Sequence, residues 1–390
     1  MDSPVQIFKY QPESIDWSSI KSKFLVEDYP ILHLNSGSAG IMSKNVLRKY
    51  IEYLTLINSH APYEILHNWE EQIRHNLHRL ANHINATQGY LYLLRNSTEA
   101  LNHILWGRQW NKSDEIIHAT CDYPLMKNTL EQLISSKKIK LKTINHGRLK
   151  DISDDEIVKN YEKQIGKKTK LIVLTYITHR EGHILPVKKI CAMAKSYGIE
   201  VLIDAAHAVG QINHNVDEIG CDYYTSSLHK WLNAPLGSGI LYVKRDRLID
   251  LTPPMSYPIH RATEANKFEY LGTRAFQNGM ALGHAIDDLE SMGIDQKQKR
   301  LHTLKNYWID KIKSERNLEV ITDTNRSCAI ASVKVPISLN RVSQILKDDF
   351  KIHVKKSGYI DERFLRISPN VFTLESDLDY FVESLKSACK

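Results

Sequence analysis

Short, nearly continuous apolar runs alternate along this chain with segments of helical period, which predicts an α/β protein built on a mostly parallel sheet. The clearest unit is Lys170–Ile177, read as a buried strand, then a helix that begins at Pro186 and stops at Gly198, then the strand Glu200–Asp204. Strand, helix, strand in that order implies a right-handed parallel crossover. Asp204 then stands at the carboxyl end of its strand, where open α/β sheets place ligand groups. A further observation is Lys230, set in the tract Tyr223-Tyr224-Thr225-Ser226-Ser227-Leu228-His229-Lys230-Trp231 of small, hydroxyl and aromatic residues. A charge in that setting reads as a buried amine kept for chemistry rather than a solvated one.

In chain order, residues 1–30 are polar, broken by Pro4, Pro12 and Pro30, and read as an arm feeding a first strand at Ile31–Leu34. Asn35-Ser36-Gly37-Ser38-Ala39-Gly40 either allows close backbone approach to a ligand or only turns a strand into a helix. From about Glu64 to Asn82, the residues Ile65, Trp69, Ile73, Leu77 and Leu80 recur at helical spacing. The histidines there (His67, His75, His78, His83) never stand four apart, so a polar helix face is a better reading than a metal site. Tyr90–Leu94 reads as a strand, and Ser97 or Thr98 as the N-cap of a helix ending near Gly107. Such a start either caps a helix with nothing bound or holds a phosphate on its free N–H groups. Ile116–Ala119 is the next strand, followed by Thr120-Cys121-Asp122-Tyr123-Pro124, and the lysine-rich region 136–170 reads as loop-prone. Gly239–Val243 is a strand after a glycine turn, and helices follow from about 275 to 315. The last 75 or so residues alternate short strands (Cys328–Val335, Phe364–Ile367) with helices, which predicts a smaller α+β C-terminal domain. The expected division is an arm at 1–30 packing with the small domain, a large domain at 31–275 and the small domain at 276–390.

With 390 residues, 42% of them hydrophobic, the chain can fill a large core. The formal charge of +7 is 52 basic against 45 acidic residues, and the lysines gather in short groups that solvated helix ends and loops explain better than nucleic-acid binding does. Five scattered cysteines form no Cys-x-x-Cys pair, so neither a disulfide framework nor a zinc site is expected, and a reducing cytoplasm is the natural location. No apolar run approaches membrane-spanning length, and Met1-Asp2-Ser3-Pro4 does not begin a secretion signal.

The stretch from Leu202-Ile203-Asp204-Ala205-Ala206-His207 to His229-Lys230-Trp231 resembles the class V aminotransferase family of fold-type I enzymes, which use pyridoxal 5'-phosphate (PLP). Blocks similar to the isopenicillin N epimerase and cysteine desulfurase branch recur in order: Leu34–Gly40, Ile184-Leu185-Pro186-Val187, Gly272-Thr273-Arg274 and Leu365-Arg366-Ile367-Ser368-Pro369. The resemblance implies a three-layer large PLP-binding domain and a homodimer with its active sites at the interface. It assigns Lys230 the Schiff base, Asp204 the pyridinium nitrogen and His207 the phenolic oxygen. Ser97, Thr98, Ser227 and His229 would bind cofactor, Tyr123 would stack on its ring, and Gly272 and Thr273 would reach the partner's phosphate.

The same resemblance puts Asn35, Ser36 and Gly37 beside the substrate and gives Arg366 its α-carboxylate, against an internal salt bridge as the bland alternative. His179 and Arg180 depart from the family's small polar residue at this turn; His179 is expected near the phenolic oxygen and Arg180 near the substrate, unless Arg180 is an exposed loop charge. The implied function is an isopenicillin N epimerase-like enzyme acting on an amino acid by Cα deprotonation. Carbon–sulfur lyase or aminotransferase chemistry is the alternative, and a catalytically inactive binding module is the reading from another class. Lys351–Arg363 holds no cysteine, which disfavours persulfide chemistry.

Overall fold

The architecture comes from a computed structural model, which describes residues 15–27, 31–59, 62–255, 257–261, 263–358 and 363–390. Most of the expected N-terminal arm, with Pro4, Pro12 and Pro30, lies outside the described residues, as do the side chains of Ile65 and His67. The first part of the chain forms α1 (Trp17–Ser22), β1 (Leu32–His33), α2 (Lys44–Ser59) and α3 (Pro62–His83). Strand and helix then alternate as β2 (Gly89–Leu94), α4 (Ser97–Gly107), β3 (Glu115–Ala119), α5 (Pro124–Lys137), β4 (Lys140–Ile144), α6 (Asp154–Glu162), β5 (Thr169–Thr175), α7 (Val187–Ser196) and β6 (Glu200–Asp204). After the short α8 (Val216–Ile219) come β7 (Tyr223–Ser227) and β8 (Gly239–Lys244), then the long helices α9 (Phe276–Met292) and α10 (Ile294–Ile312). The C-terminal part holds β9 (Glu319–Val320), β10 (Ala331–Lys334), α11 (Leu339–Asp348), β11 (Ile352–His353), β12 (Lys355–Gly358), β13 (Arg363–Ile367) and α12 (Glu375–Ala388).

The large sheet has seven strands in the order β2-β8-β7-β6-β5-β3-β4, with β8 antiparallel to both neighbours and the run from β7 to β4 parallel. Period-two alternation sends Ile172, Leu174, Val201 and Ile203 to one apolar cluster, and Leu171, Val173 and Leu202 to another. Both faces are therefore covered, α7 and α9 on the first and α4 and α5 on the second, as apolar parallel strands demand. Burying each such side chain contributes roughly 1.5–3 kcal/mol. The carboxyl ends of β2, β3, β5, β6 and β7 all open toward one edge, where Ser97, Tyr123, His179, Asp204 and Lys230 follow or end them. No helix among the described residues is long and apolar enough to cross a membrane.

Two sequence expectations need correction. The region 136–170 is not a loop: it contains β4 and α6. Its lysines misled because β4 is the edge strand, paired only with β3, so Lys140 and Lys142 keep some solvent exposure. Helix α6 carries a capping box from Ser153 and Glu156 that the polar composition hid. The N-cap of α4 is Asn96, one residue before Ser97, and its side chain accepts from Glu99 N. Strand β1 pairs in parallel with β11 and not with the large sheet, so Leu32 and His33 lie with the C-terminal strands. There β12, β13, β10 and β9 form a four-stranded antiparallel sheet.

Candidate active site

Asp204 and Lys230 reach the same place from neighbouring strands, since β6 pairs with β7 and Asp204 stands opposite Thr225. Asp204 is buried, and its Oδ1 accepts from Ala206 N (3.0 Å), while Oδ2 has no hydrogen-bond partner among the described residues. Burial raises the Asp204 carboxyl above the usual range, and the neighbouring Lys230 opposes that rise. Lys230 keeps some exposed surface, yet enough protein surrounds its amine to lower its pKa to about 8; Asp204 works against that fall and Arg366 adds to it. Its Nζ lies 3.2 Å from His207 Nε2. His207 is buried, Trp231 Nε1 donates to its Nδ1 (3.1 Å), and desolvation with Lys230 nearby holds it neutral.

At the start of α4, Ser97 N donates to Ser227 Oγ (3.1 Å), and the two hydroxyls are 3.1 Å apart. The first N–H groups of a helix have no partner within it, so Ser97, Thr98 and Ser227 surround a positive helix end next to the Lys230 turn. His229 Nδ1 donates to Ser238 O (3.2 Å), and its own carbonyl accepts from Gly40 N (2.8 Å). Gly40 has to be glycine: a Cβ there would stand 2.0 Å from Lys230 O. Gly37 is also under pressure, because a Cβ would meet the Arg366 guanidinium carbon at 3.1 Å. The glycine-rich loop thus joins the Lys230 turn to Arg366.

Arg366 is buried on β13, and its Nη2 donates to Asn35 Oδ1 and Ser38 Oγ, both at 2.8 Å. Its Nη1 donates to His179 O (2.8 Å). Among the described residues no carboxylate pairs with it, so the internal salt bridge is absent there. Burial lowers its pKa to about 10, which still leaves it cationic at neutral pH. Tyr123 is partly exposed and meets the His179 ring edge-on, with centroids 5.2 Å apart. Arg180 is not the exposed loop charge that one reading allowed. It is buried, with Nε on Gly358 O (2.9 Å) and Nη1 on Thr120 O (3.2 Å), and it lines a cavity of about 700 Å³ shared with Asp122, Lys127 and Arg148. That cavity lies beside the Lys230 site and not over it: Lys230, Asp204 and His207 are not in its wall. Gly272 and Thr273 are exposed on a turn before α9, with Gly272 at φ +69° and open space where a Cβ would stand.

Sequence reading missed several residues here. Ser38 is a second oxygen on Arg366, and Ser368 Oγ accepts from Gly37 N (3.0 Å); both lay inside recognised blocks without a role. Asp122 ties β3 to β5 by accepting from Ala119 N (2.7 Å) and Thr175 N (2.9 Å), and burial raises its pKa to about 7. Trp231 lay inside the recognised tract without a role, and the distant Lys297, which donates to Trp231 O, carries no local signal.

The donor set fits pyridoxal phosphate with an amino acid. Three buried polar atoms at this edge, Ser36 Oγ, His179 Nδ1 and Arg366 Nε, have no hydrogen-bond partner among the described residues. Asp204 Oδ2 is likewise open to a ring N–H, and the α4 N-terminus with its serines suits a phosphate.

The fold and site together define an α/β enzyme of the PLP fold type I architecture. A family model described as Aminotransferase class-V matches residues 32–369, and the chain belongs to that PLP-dependent family. Isopenicillin N epimerase of Amycolatopsis lactamdurans is 24% identical over 401 residues, covering 96% of this chain and 99% of that protein. Hercynylcysteine sulfoxide lyase of Schizosaccharomyces pombe is 24% identical over 386 residues, covering 95% and 97%. Among solved structures, C-DES with glycine covalently linked to its PLP cofactor superposes with a TM-score of 0.84 at 19% identity, over 94% of this chain and 98% of that one. That likeness establishes the shared fold.

Proposed function

We propose that this protein is an isopenicillin N epimerase-like enzyme that removes and returns the Cα proton of an amino acid. The observation that carries it is the Lys230 amine facing His207 at 3.2 Å, with Asp204 on the next strand and Arg366 lacking an acidic partner among the described residues. Pyridoxal phosphate, when bound, supplies a conjugated sink for the electrons of a broken Cα bond. Asp204, as the anion, would hold a proton on the ring nitrogen; burial alone pushes its carboxyl up, and the neighbouring Lys230 opposes that rise. Arg366 grips the α-carboxylate with its fork and so fixes which Cα bond faces Lys230. Lys230, with its pKa lowered to about 8, takes the Cα proton and returns it near neutral pH. Ser97, Thr98, Ser227 and His229 would anchor the phosphate side, Tyr123 would stack on the ring, and His179 would stand near the phenolic oxygen.

The second reading is carbon–sulfur lyase chemistry, since the same groups serve β-elimination. An enzyme-bound persulfide is disfavoured: all five cysteines are buried, and burial raises the Cys328 thiol to about 12. Incubation with candidate amino acids in deuterated water separates the branches. Cα exchange without keto acid, sulfide or pyruvate is expected; pyruvate with sulfide would move the assignment to lyase, and keto acid to aminotransferase. No signal with any substrate would leave a binding module. We also propose a homodimer in which Gly272 and Thr273 meet the partner's phosphate, a reading supported by their exposure and the resemblance. Sedimentation showing a monomer that retains cofactor would overturn it.

A further inference from the structure

Trp231 and His207 are both buried, and their hydrogen bond leaves the imidazole few options. An indole nitrogen can only donate, so His207 Nδ1 is the acceptor at 3.1 Å and carries no proton. A neutral imidazole has one N–H, which must then sit on Nε2, and Nε2 is the atom 3.2 Å from Lys230 Nζ. An N–H facing an amine makes a hydrogen bond only if the amine offers its lone pair. An ammonium there would need an acceptor that this tautomer does not have. We propose that Trp231 is a positioning residue that locks His207 as the Nε2–H tautomer and thereby holds Lys230 as a neutral, nucleophilic amine.

This rests on the reading of Lys230 as the cofactor lysine and adds a residue that reading does not assign. The surroundings agree. Gln211 Nε2 donates to the His207 carbonyl (2.6 Å), and Gln211 Oε1 accepts from Ala329 N (3.0 Å), so the backbone of His207 is pinned too. Lys297 donates to Trp231 O and fixes the indole's own backbone. The charged and titratable groups around the pair are Asp204 and Arg366 near Lys230, with His179 and His229 also acting on His207. Of these, only Asp204 favours the ammonium. A neutral Lys230 can use its lone pair to form a C–N bond at the aldehyde carbon of pyridoxal phosphate, and its two protons leave with the aldehyde oxygen as water.

Two measurements test this. In the full-length protein stripped of cofactor and labelled with ¹⁵N-histidine, two-bond proton–nitrogen couplings report which ring nitrogen of His207 is protonated. The expected result is Nε2–H at neutral pH. A proton on Nδ1, or on both nitrogens, overturns the proposal without any variant being made. The second is the rate at which added pyridoxal phosphate becomes borohydride-trappable on Lys230. Trp231→Phe removes one buried donor, so the rate at pH 7 is expected to fall about five- to tenfold and to recover by about pH 9.5, above the pKa of about 8 to which burial lowers Lys230. A glutamine at 207 carries its N–H₂ whatever stands at 231. In a His207→Gln background Trp231→Phe should therefore cost under about twofold. An equal loss in both backgrounds, or one that high pH does not restore, would show a merely structural tryptophan. Trapping at other lysines with Lys230 untouched would instead sink the cofactor-lysine reading itself.

Discussion

Lys230 and Lys297 are both lysines drawn out of water, and their amines end in different company. Burial lowers Lys297 to about 7 and Lys230 to about 8, so acidity alone does not tell them apart. Lys297 lies on α10 and donates to Trp231 O and to Asn233 Oδ1 (3.4 Å). Lys305, also near 8, donates to Thr324 O (2.6 Å), Ser327 O (3.1 Å) and Ser327 Oγ (2.8 Å). These two amines tie backbone together, and their protons are engaged by fixed acceptors. Lys230 Nζ has only His207 Nε2 within hydrogen-bond reach among the described residues, at the mouth of a site whose arginine lacks an acid among them. A depressed lysine pKa marks burial, and it becomes a mark of chemistry only where the lone pair faces open polar groups.

The largest effect should come from Lys230→Ala, which ought to abolish the visible absorbance of bound pyridoxal phosphate and lower turnover by about 10³-fold or more. Lys297→Met should keep both the absorbance and most of the activity. If Lys297→Met lost the absorbance while circular dichroism stayed native, the contrast between the two lysines would break. Next is Arg366→Met. Losing one side of a buried charge pair costs about 2–5 kcal/mol, so kcat/KM for the amino acid should fall about 30- to 5,000-fold while cofactor uptake at Lys230 persists. Undiminished kcat/KM would mean that Arg366 holds the Asn35–Ser38 loop and not a substrate.

Much of this is legible in the amino-acid sequence, for a physical reason. Strands β5 and β6 are buried on both faces, so their apolar runs stand out without ambiguity, and the chain direction then puts Asp204 and the Lys230 turn at one edge. The family blocks point to Arg366 and the α4 start. Edge strand β4 is not legible, because a strand with one partner tolerates lysines that hydropathy assigns to loops. The fate of Arg180 is equally hidden, since its acceptors are carbonyls of Thr120 and Gly358, far away in sequence. Lys297 illustrates the same limit: an amine that ends on acceptors 64 and 66 residues away has no local signature. Trp231 stands in plain view next to Lys230, but its use depends on which nitrogen of His207 it meets, and that is a matter of three-dimensional geometry.

The smallest effect concerns stability, and it distinguishes the two amines by their protons. The ordinary lysine pKa is 10.5, and Lys297 falls to about 7 in the folded chain. Between those values the unfolded chain binds one more proton than the folded one, so stability rises with pH through that window, and the burial penalty is fully present below it. Lys230 adds the same sign between about 8 and 10.5 in the cofactor-free protein. Each can contribute at most about 1.4 kcal/mol per pH unit. The buried cysteine thiols, raised by burial, titrate in the opposite sense above about pH 9, so the reading is a difference: Lys297→Met should make the pH slope of urea unfolding less positive whether or not cofactor is present. Attaching pyridoxal phosphate should remove the Lys230 share, because that nitrogen is then no longer a free amine, and leave the Lys297 share intact. A slope that cofactor leaves unchanged, or that Lys297→Met fails to reduce, would mean that the two amines do not titrate as their surroundings require.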